Sequence, residues 1–304
     1  MGNHGFAGFM RRHDLLCFFG LTYGVSWLLW IPYVLSGNGL GIWSVHFPRI
    51  LGDEELGGLL PGAYLGPLGS AFLITSMTEG RTGLRRWRAR LTRWRVGCRW
   101  YALALAGVPA ILVAGTLVLP GAVSGLRGTH VAAALFYSPL YLLMMLVQVL
   151  TTGVAEEPGW RDFALPRLQQ RRGPLTGTLV LGVLWSGWHL PLFVTDWALR
   201  RNDLPTIAVF TVVGIELSIL ITWVFNHTRE SLPVAVLIHT SNNNLLSVVW
   251  PEIFPDLDRS RDILLASAIG YGAVAIVVLL TTRGRLGYPS PHTADTMVRA
   301  HPPG

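Results

Sequence analysis

The sequence predicts an all-α protein, a polytopic membrane bundle of about eight transmembrane helices with one amphipathic helix lying in the cytoplasmic interface. Three observations predict it. Of the 304 residues, 51% are hydrophobic and only 13% charged, a balance that a soluble domain of this length rarely carries. The hydrophobic residues fall in blocks of about 20, roughly what an α-helix needs to cross a ~30 Å hydrocarbon core. The basic residues alternate from loop to loop, as membrane topology requires.

The eight expected spans are 15–36, 56–78, 100–120, 131–155, 175–195, 205–226, 232–250 and 263–282. The first follows Arg11-Arg12 as a signal peptide would, but it is too long for an apolar signal core and lacks a small-residue cleavage site, so it reads as a retained span. The second holds Pro61, Gly62, Gly66 and Pro67, residues that membrane helices tolerate and that let helices approach closely. Before the third lies 81–99, where Leu84, Trp87, Leu91, Trp94 and Cys98 recur at alternating three- and four-residue steps among arginines. That pattern predicts an interfacial helix attracted to anionic headgroups, and nothing else in the chain supports a nucleic-acid partner.

With the N-terminus placed in the cytoplasm, 18 arginines fall inside and six outside, and acidic runs such as Asp53-Glu54-Glu55 fall outside. Both termini are therefore expected in the cytoplasm of a multi-pass cell-membrane protein. All 24 basic residues are arginine, a compositional trait that points to a GC-rich bacterium. Cys17 and Cys98 are isolated and form neither a disulfide framework nor a metal cluster. One membrane domain is expected over 1–286, with its chemical core in 131–250, and the proline-rich polar stretch 287–304 reads as a disordered cytoplasmic tail.

Ionisable side chains in a bilayer cost roughly 2.5–3.5 kcal/mol each, so they seldom persist without a task. Here they cluster in three spans: Glu156-Glu157-Pro158-Gly159-Trp160-Arg161, Trp185 through His189, and His239 through Asn243. Helical spacing puts His239 and Asn243 on one face, puts Trp185 beside His189, and gives Glu157 and Arg161 the separation of an ion pair. Pro158 removes a backbone donor and predicts a kink or helix end near Glu156. Glu216 reads as a helix-to-helix hydrogen bond, with support of the site from behind as the alternative, and His227 as an interfacial residue.

The ordered pattern Glu-Glu-x-x-x-Arg, aromatic-x-x-x-His and His-x-x-x-Asn resembles the CAAX protease and bacteriocin-processing (CPBP, or Abi) family of intramembrane endopeptidases. The likeness extends to Gly159-Trp160-Arg161 with Leu165-Pro166-Arg167-Leu168 and covers about residues 84–250. Trp185 stands where the family usually has Phe, read here as a mild change. The resemblance implies that Glu156, assisted by His189, activates a water, that His239 and Asn243 stabilise the oxyanion, and that Arg161 holds Glu157 while Glu157 orients the backbone of the first motif. Glu156, Glu157, His189, His239 and Asn243 are thus the candidate catalytic residues, supported by Arg161, Trp160 and Trp185.

No cofactor is required by this scheme. Zinc remains an alternative, with Glu156, His189 and His239 as the three protein ligands of an open site, although no His-Glu-x-x-His helix is present. A proton- or ion-coupled transporter and a non-catalytic scaffold are the rival classes; the transporter is disfavoured by the lack of an inverted repeat. The expected partner is a membrane-associated protein or peptide substrate entering from the cytoplasmic half of the bilayer, with oligomeric state unreadable.

Overall fold

The structure, a computed structural model, describes residues 3–50, 55–125 and 138–289. Among them there are helices and no strands, as the composition requires. Helix α1 is Asn3–Arg12 and α2 is Asp14–Leu35, separated by His13. Helix α3 runs Glu55–Thr78, α4 is the amphipathic Gly80–Leu91, and α5 runs Cys98–Leu117. Helix α6 is the long run Pro139–Arg172, and α7 is Pro174–Trp188 with a 3₁₀ turn over Leu190–Val194. Helix α8 is Leu204–His227, α9 is Leu232–Asn244 and α10 is Asp262–Thr282.

Seven of these runs are long and apolar enough to cross a membrane, and the chain is a multi-pass membrane protein. The expected seventh span, 232–250, is helical but is not among the seven, because His239 and the run Asn242-Asn243-Asn244 dilute its apolar residues. Residues 131–137 of the expected fourth span, Asp53 and Glu54 of the acidic loop, and 290–304 of the expected tail lie outside the described residues. Gly287 through Pro289 are described, and Gly287 packs against His227.

Local chemistry fixes the helix ends. Asp203 caps α8, accepting from the Thr206 backbone N–H at 3.0 Å, with Pro205 just inside the first turn. Pro191 follows α7 two residues after His189 and cannot continue its hydrogen-bond ladder. Helices α8 and α9 are joined through Arg229 and Glu230, both at positive φ. Close packing fixes the helix pairs: α10 lies against both α5 and α8. A Cβ on Gly115 of α5 would collide with the Ala266 carbonyl oxygen of α10, so this crossing requires glycine.

Two expectations are corrected here. Helix α6 neither ends nor breaks at Pro158. The missing proline N–H is absorbed by a π-helical stretch, Pro158–Ala164, after which the helix resumes to Arg172. The amphipathic helix stops at Leu91, so Trp94 and Cys98 are not on its stripe. Its continuation is consumed in docking: the Arg93 carbonyl accepts from Ser231 at 2.6 Å, and the Arg93 guanidinium bonds the Arg229 carbonyl.

The two ends of the bundle differ. At one end, Arg167 pairs with Asp14 and Glu79, Arg171 with Asp14, Arg86 with Glu79, and Arg90 with Asp162 and Glu230. At the other, Arg201 reaches Asp258 at 3.5 Å, and the Asp196 backbone N–H bonds the Asn38 carbonyl.

Candidate active site

The three motif segments meet in the middle of the bundle, carried by α6, α7 and α9. Glu156 and Glu157 form a short α-helical step between two π-helical stretches, Val149–Gly153 and Pro158–Ala164. A third π stretch, Leu245–Val249, follows Asn243 on α9. Such wide turns insert extra backbone into a helix and are frequent at functional sites. His189 sits at the C-terminus of α7, where the helix yields to the 3₁₀ turn.

Trp185 is the hub. Its indole N–H donates to Glu156 Oε2 at 2.9 Å, and its ring centroid lies 4.6 Å from that of His189 and 5.8 Å from that of His239. Its backbone carbonyl faces His189 Nδ1 at 2.9 Å. A carbonyl only accepts, so Nδ1 carries the proton and a neutral His189 presents Nε2 as an acceptor. His189 also stacks on Trp197 at 5.2 Å and meets Phe210 edge-on at 5.3 Å.

His239 is held from behind. Its Nδ1 lies 2.8 Å from Glu157 Oε1. The other Glu157 oxygen faces Arg161 Nε at 3.3 Å, a charge pair without hydrogen-bond alignment, and Arg161 Nη2 reaches Ser218 Oγ at 3.4 Å. Asn243 Oδ1 accepts from Asn242 Nδ2 at 2.8 Å, which leaves the Asn243 amide nitrogen as the end that can donate; Asn242 is fixed in turn by the Tyr271 hydroxyl at 2.8 Å.

A cavity of about 410 Å³ collects these groups. Glu156, Trp185, His189, His239, Asn242 and Asn243 all line it, whereas Glu157 and Arg161 stand behind its wall. Thr240 and Ser241 do not line it, consistent with the helical spacing from His239 to Asn243. Trp160 lies below, fully buried between Phe18 and Trp188 with ring centroids 5.7 Å from each.

Four expectations change with this geometry. Glu157 does not line the cavity, and its carboxylate reaches across to His239 Nδ1 on another helix instead of serving its own motif alone. Trp185 departs from Phe by more than ring size, since only the indole can donate to Glu156. Glu156 is not at a helix end, because α6 continues past it. The cavity is lined by Asp196, Leu199, Arg259 and Ser260, all from the loops of the arginine-poor end, and not by the arginine-rich end. Spacing alone also missed Asn242, Trp197 and Phe210. The first was signalled by its place in a run of three asparagines; the other two carry no motif.

Among the described residues no three His, Cys, Asp or Glu side chains form a metal-holding group. Nδ1 of His189 and of His239 is engaged by a partner on the protein, which leaves Nε2 of each facing the cavity groups, and one Glu156 oxygen is held by Trp185.

Residues 138–245 match the family described as type II CAAX prenyl endopeptidase Rce1-like. The chain is also similar to a CAAX prenyl protease 2 from Methanococcus maripaludis, 29% identical over 120 residues, which is 37% of this chain and 42% of that protein. The aligned part thus spans less than half of the relative. The family match spans the region that carries the three motifs.

Proposed function

We propose, from the likeness of residues 138–245 to the Rce1-like CAAX prenyl endopeptidases, that the chain is an intramembrane endopeptidase that hydrolyses a peptide bond in a membrane-associated protein or peptide. The observation that carries this reading is the convergence of Glu156, His189, His239 and Asn243, from three separate helices, on one cavity wall.

Peptide hydrolysis needs a water deprotonated next to the carbonyl carbon and donors where the oxyanion forms. In this scheme Glu156 takes the proton of a water whose second hydrogen is held by His189 Nε2. The resulting hydroxide adds to the carbonyl carbon. His239 Nε2–H and Asn243 Nδ2–H then stabilise the oxyanion. Donation from Nε2 requires His239 to be an imidazolium, because Nδ1 already faces Glu157, and the Glu157 carboxylate behind it supplies the compensating charge. Collapse of the tetrahedral intermediate breaks the C–N bond as Glu156 returns its proton to the leaving amine. The scheme requires no metal.

Glu156→Gln and His189→Ala are each expected to abolish cleavage of a membrane-tethered reporter while leaving the protein folded. A mass-spectrometric comparison of membrane peptides from cells carrying the native chain and Glu156→Gln identifies the products. Identical peptide sets would remove the peptidase reading. Loss of cleavage on chelation, restored by zinc, would replace the glutamate mechanism with a metal one.

A further inference from the structure

We infer that the catalytic hollow opens to the extracytoplasmic side, so that its substrate is a peptide segment presented from the outer face of the membrane. The inference rests on the peptidase reading for the word substrate, but its structural part does not.

Three observations support it. The loop residues on the cavity wall, Asp196, Leu199, Arg259 and Ser260, and the α3 start at Glu55 belong to one end of the bundle. That end is joined across its loops by the contacts of Asp196 with residue 38 and of Arg201 with Asp258. No residue of 79–97, 165–173 or 228–231 contributes to the wall.

The second observation is a floor. Between the cavity and the opposite end, Trp160 is wedged against Trp188, Phe18 and Phe19, and Phe163 lies against Phe18 with centroids 4.9 Å apart. A separate polar crevice of about 310 Å³ lies beyond that floor among Asp14, Glu79, Arg86, Arg90, Arg167 and Arg171, and it contains none of the cavity-lining motif side chains.

The third is charge. The end remote from the cavity mouth holds Arg11, Arg12, the arginines of 81–99, Arg167, Arg171, Arg172, Arg229, Arg283 and Arg285. An excess of arginine in short loops sets the cytoplasmic side of a membrane protein. The mouth therefore faces outward.

Labelling with a membrane-impermeant maleimide tests this without any cleavage assay, so its outcome is independent of whether the protein is a peptidase. In the full chain carrying Cys17→Ser and Cys98→Ser, single cysteines are placed at the mouth by Arg259→Cys and on an exposed part of the cavity wall by Ser247→Cys. Cys17→Ser alone keeps the native, exposed Cys98 at the opposite end as reporter. In intact cells with a permeabilised outer envelope, the expected result is a one-reagent mass shift at positions 259 and 247 and none at Cys98 until the cells are broken.

Labelling of Cys98 in intact cells with protection of both other positions would reverse the orientation and overturn the inference. Reaction at 259 but not at 247 before lysis would overturn it too, since the hollow would then not be reached from outside. Should Arg259→Cys fail to accumulate, Ser260→Cys reports the same rim with a near-isosteric change.

Discussion

At the scale of single residues, Trp185 has more to do than the family pattern of an aromatic at that position suggests. Trp185→Phe would keep a ring between the two histidines and delete the donor to Glu156. A hydrogen bond to a charged group is worth about 1.5–3 kcal/mol, so kcat/KM on a reporter is expected to fall roughly 10- to 100-fold. An unchanged rate would show the indole N–H to be idle. The residues of the site that were legible in the sequence, Glu156, His189, His239 and Asn243, share one property. Each is a polar group that lipid would reject, on a helix whose spacing fixes its direction. What spacing cannot give is a contact between helices. The bond from Glu157 to His239 joins positions 82 residues apart, and the sequence offered Arg161 as the only visible partner for Glu157. The support from Asn242 to Asn243 was equally hidden, because neighbours in a helix normally point apart.

At the scale of elements, the proline that predicts a broken helix produces a widened one. Its consequence is an intimate contact: a Cβ on Gly159, in the π stretch of α6, would stand 2.6 Å from the Pro67 carbonyl oxygen in the π stretch of α3. Backbone cannot yield there cheaply. Gly159→Ala is expected to destabilise the protein by about 1–3 kcal/mol, read as a lowered Tm in detergent. Gly20→Ala on α2, where a Cβ meets nothing within 4 Å, is expected to be neutral or slightly stabilising, as alanine usually is in a helix. Equal losses at both positions would refute the close-contact account. Helix existence was readable from hydropathy throughout, but helix termini were not. Helix α4 is shorter than its apolar stripe because Arg93 is engaged by the turn between α8 and α9, a tertiary demand that local periodicity does not register.

At the scale of the molecule, the arginine-rich end acts as a lashing as well as a topological signal. Arg90 bridges α4, α6 and the turn before α9 through Asp162 at 2.7 Å and Glu230 at 2.6 Å. Burial would lower its guanidinium pKa, but the two carboxylates outweigh that and hold it above the usual arginine value. Arg90→Ala strands the Asp162 carboxylate, whose side chain is fully buried, and loss of one partner of a buried pair costs about 3–5 kcal/mol at the upper end. A marked fall in Tm is expected, whereas Arg88→Ala, on an exposed position of the same helix, should leave it unchanged. The polytopic architecture was thus plain from composition, while the direction of the hollow was not, because it depends on which loops surround the motifs in space. The aromatic floor beneath the motifs has an electrical consequence. A polar hollow set among membrane-spanning helices thins the insulation across which a cell stores its proton gradient, and the rings of Trp160, Phe18 and Trp188 supply the remaining dielectric. Trp160→Ala should therefore make proteoliposomes discharge an imposed pH difference faster than the native chain does. An unaltered discharge rate would mean that other side chains provide the seal.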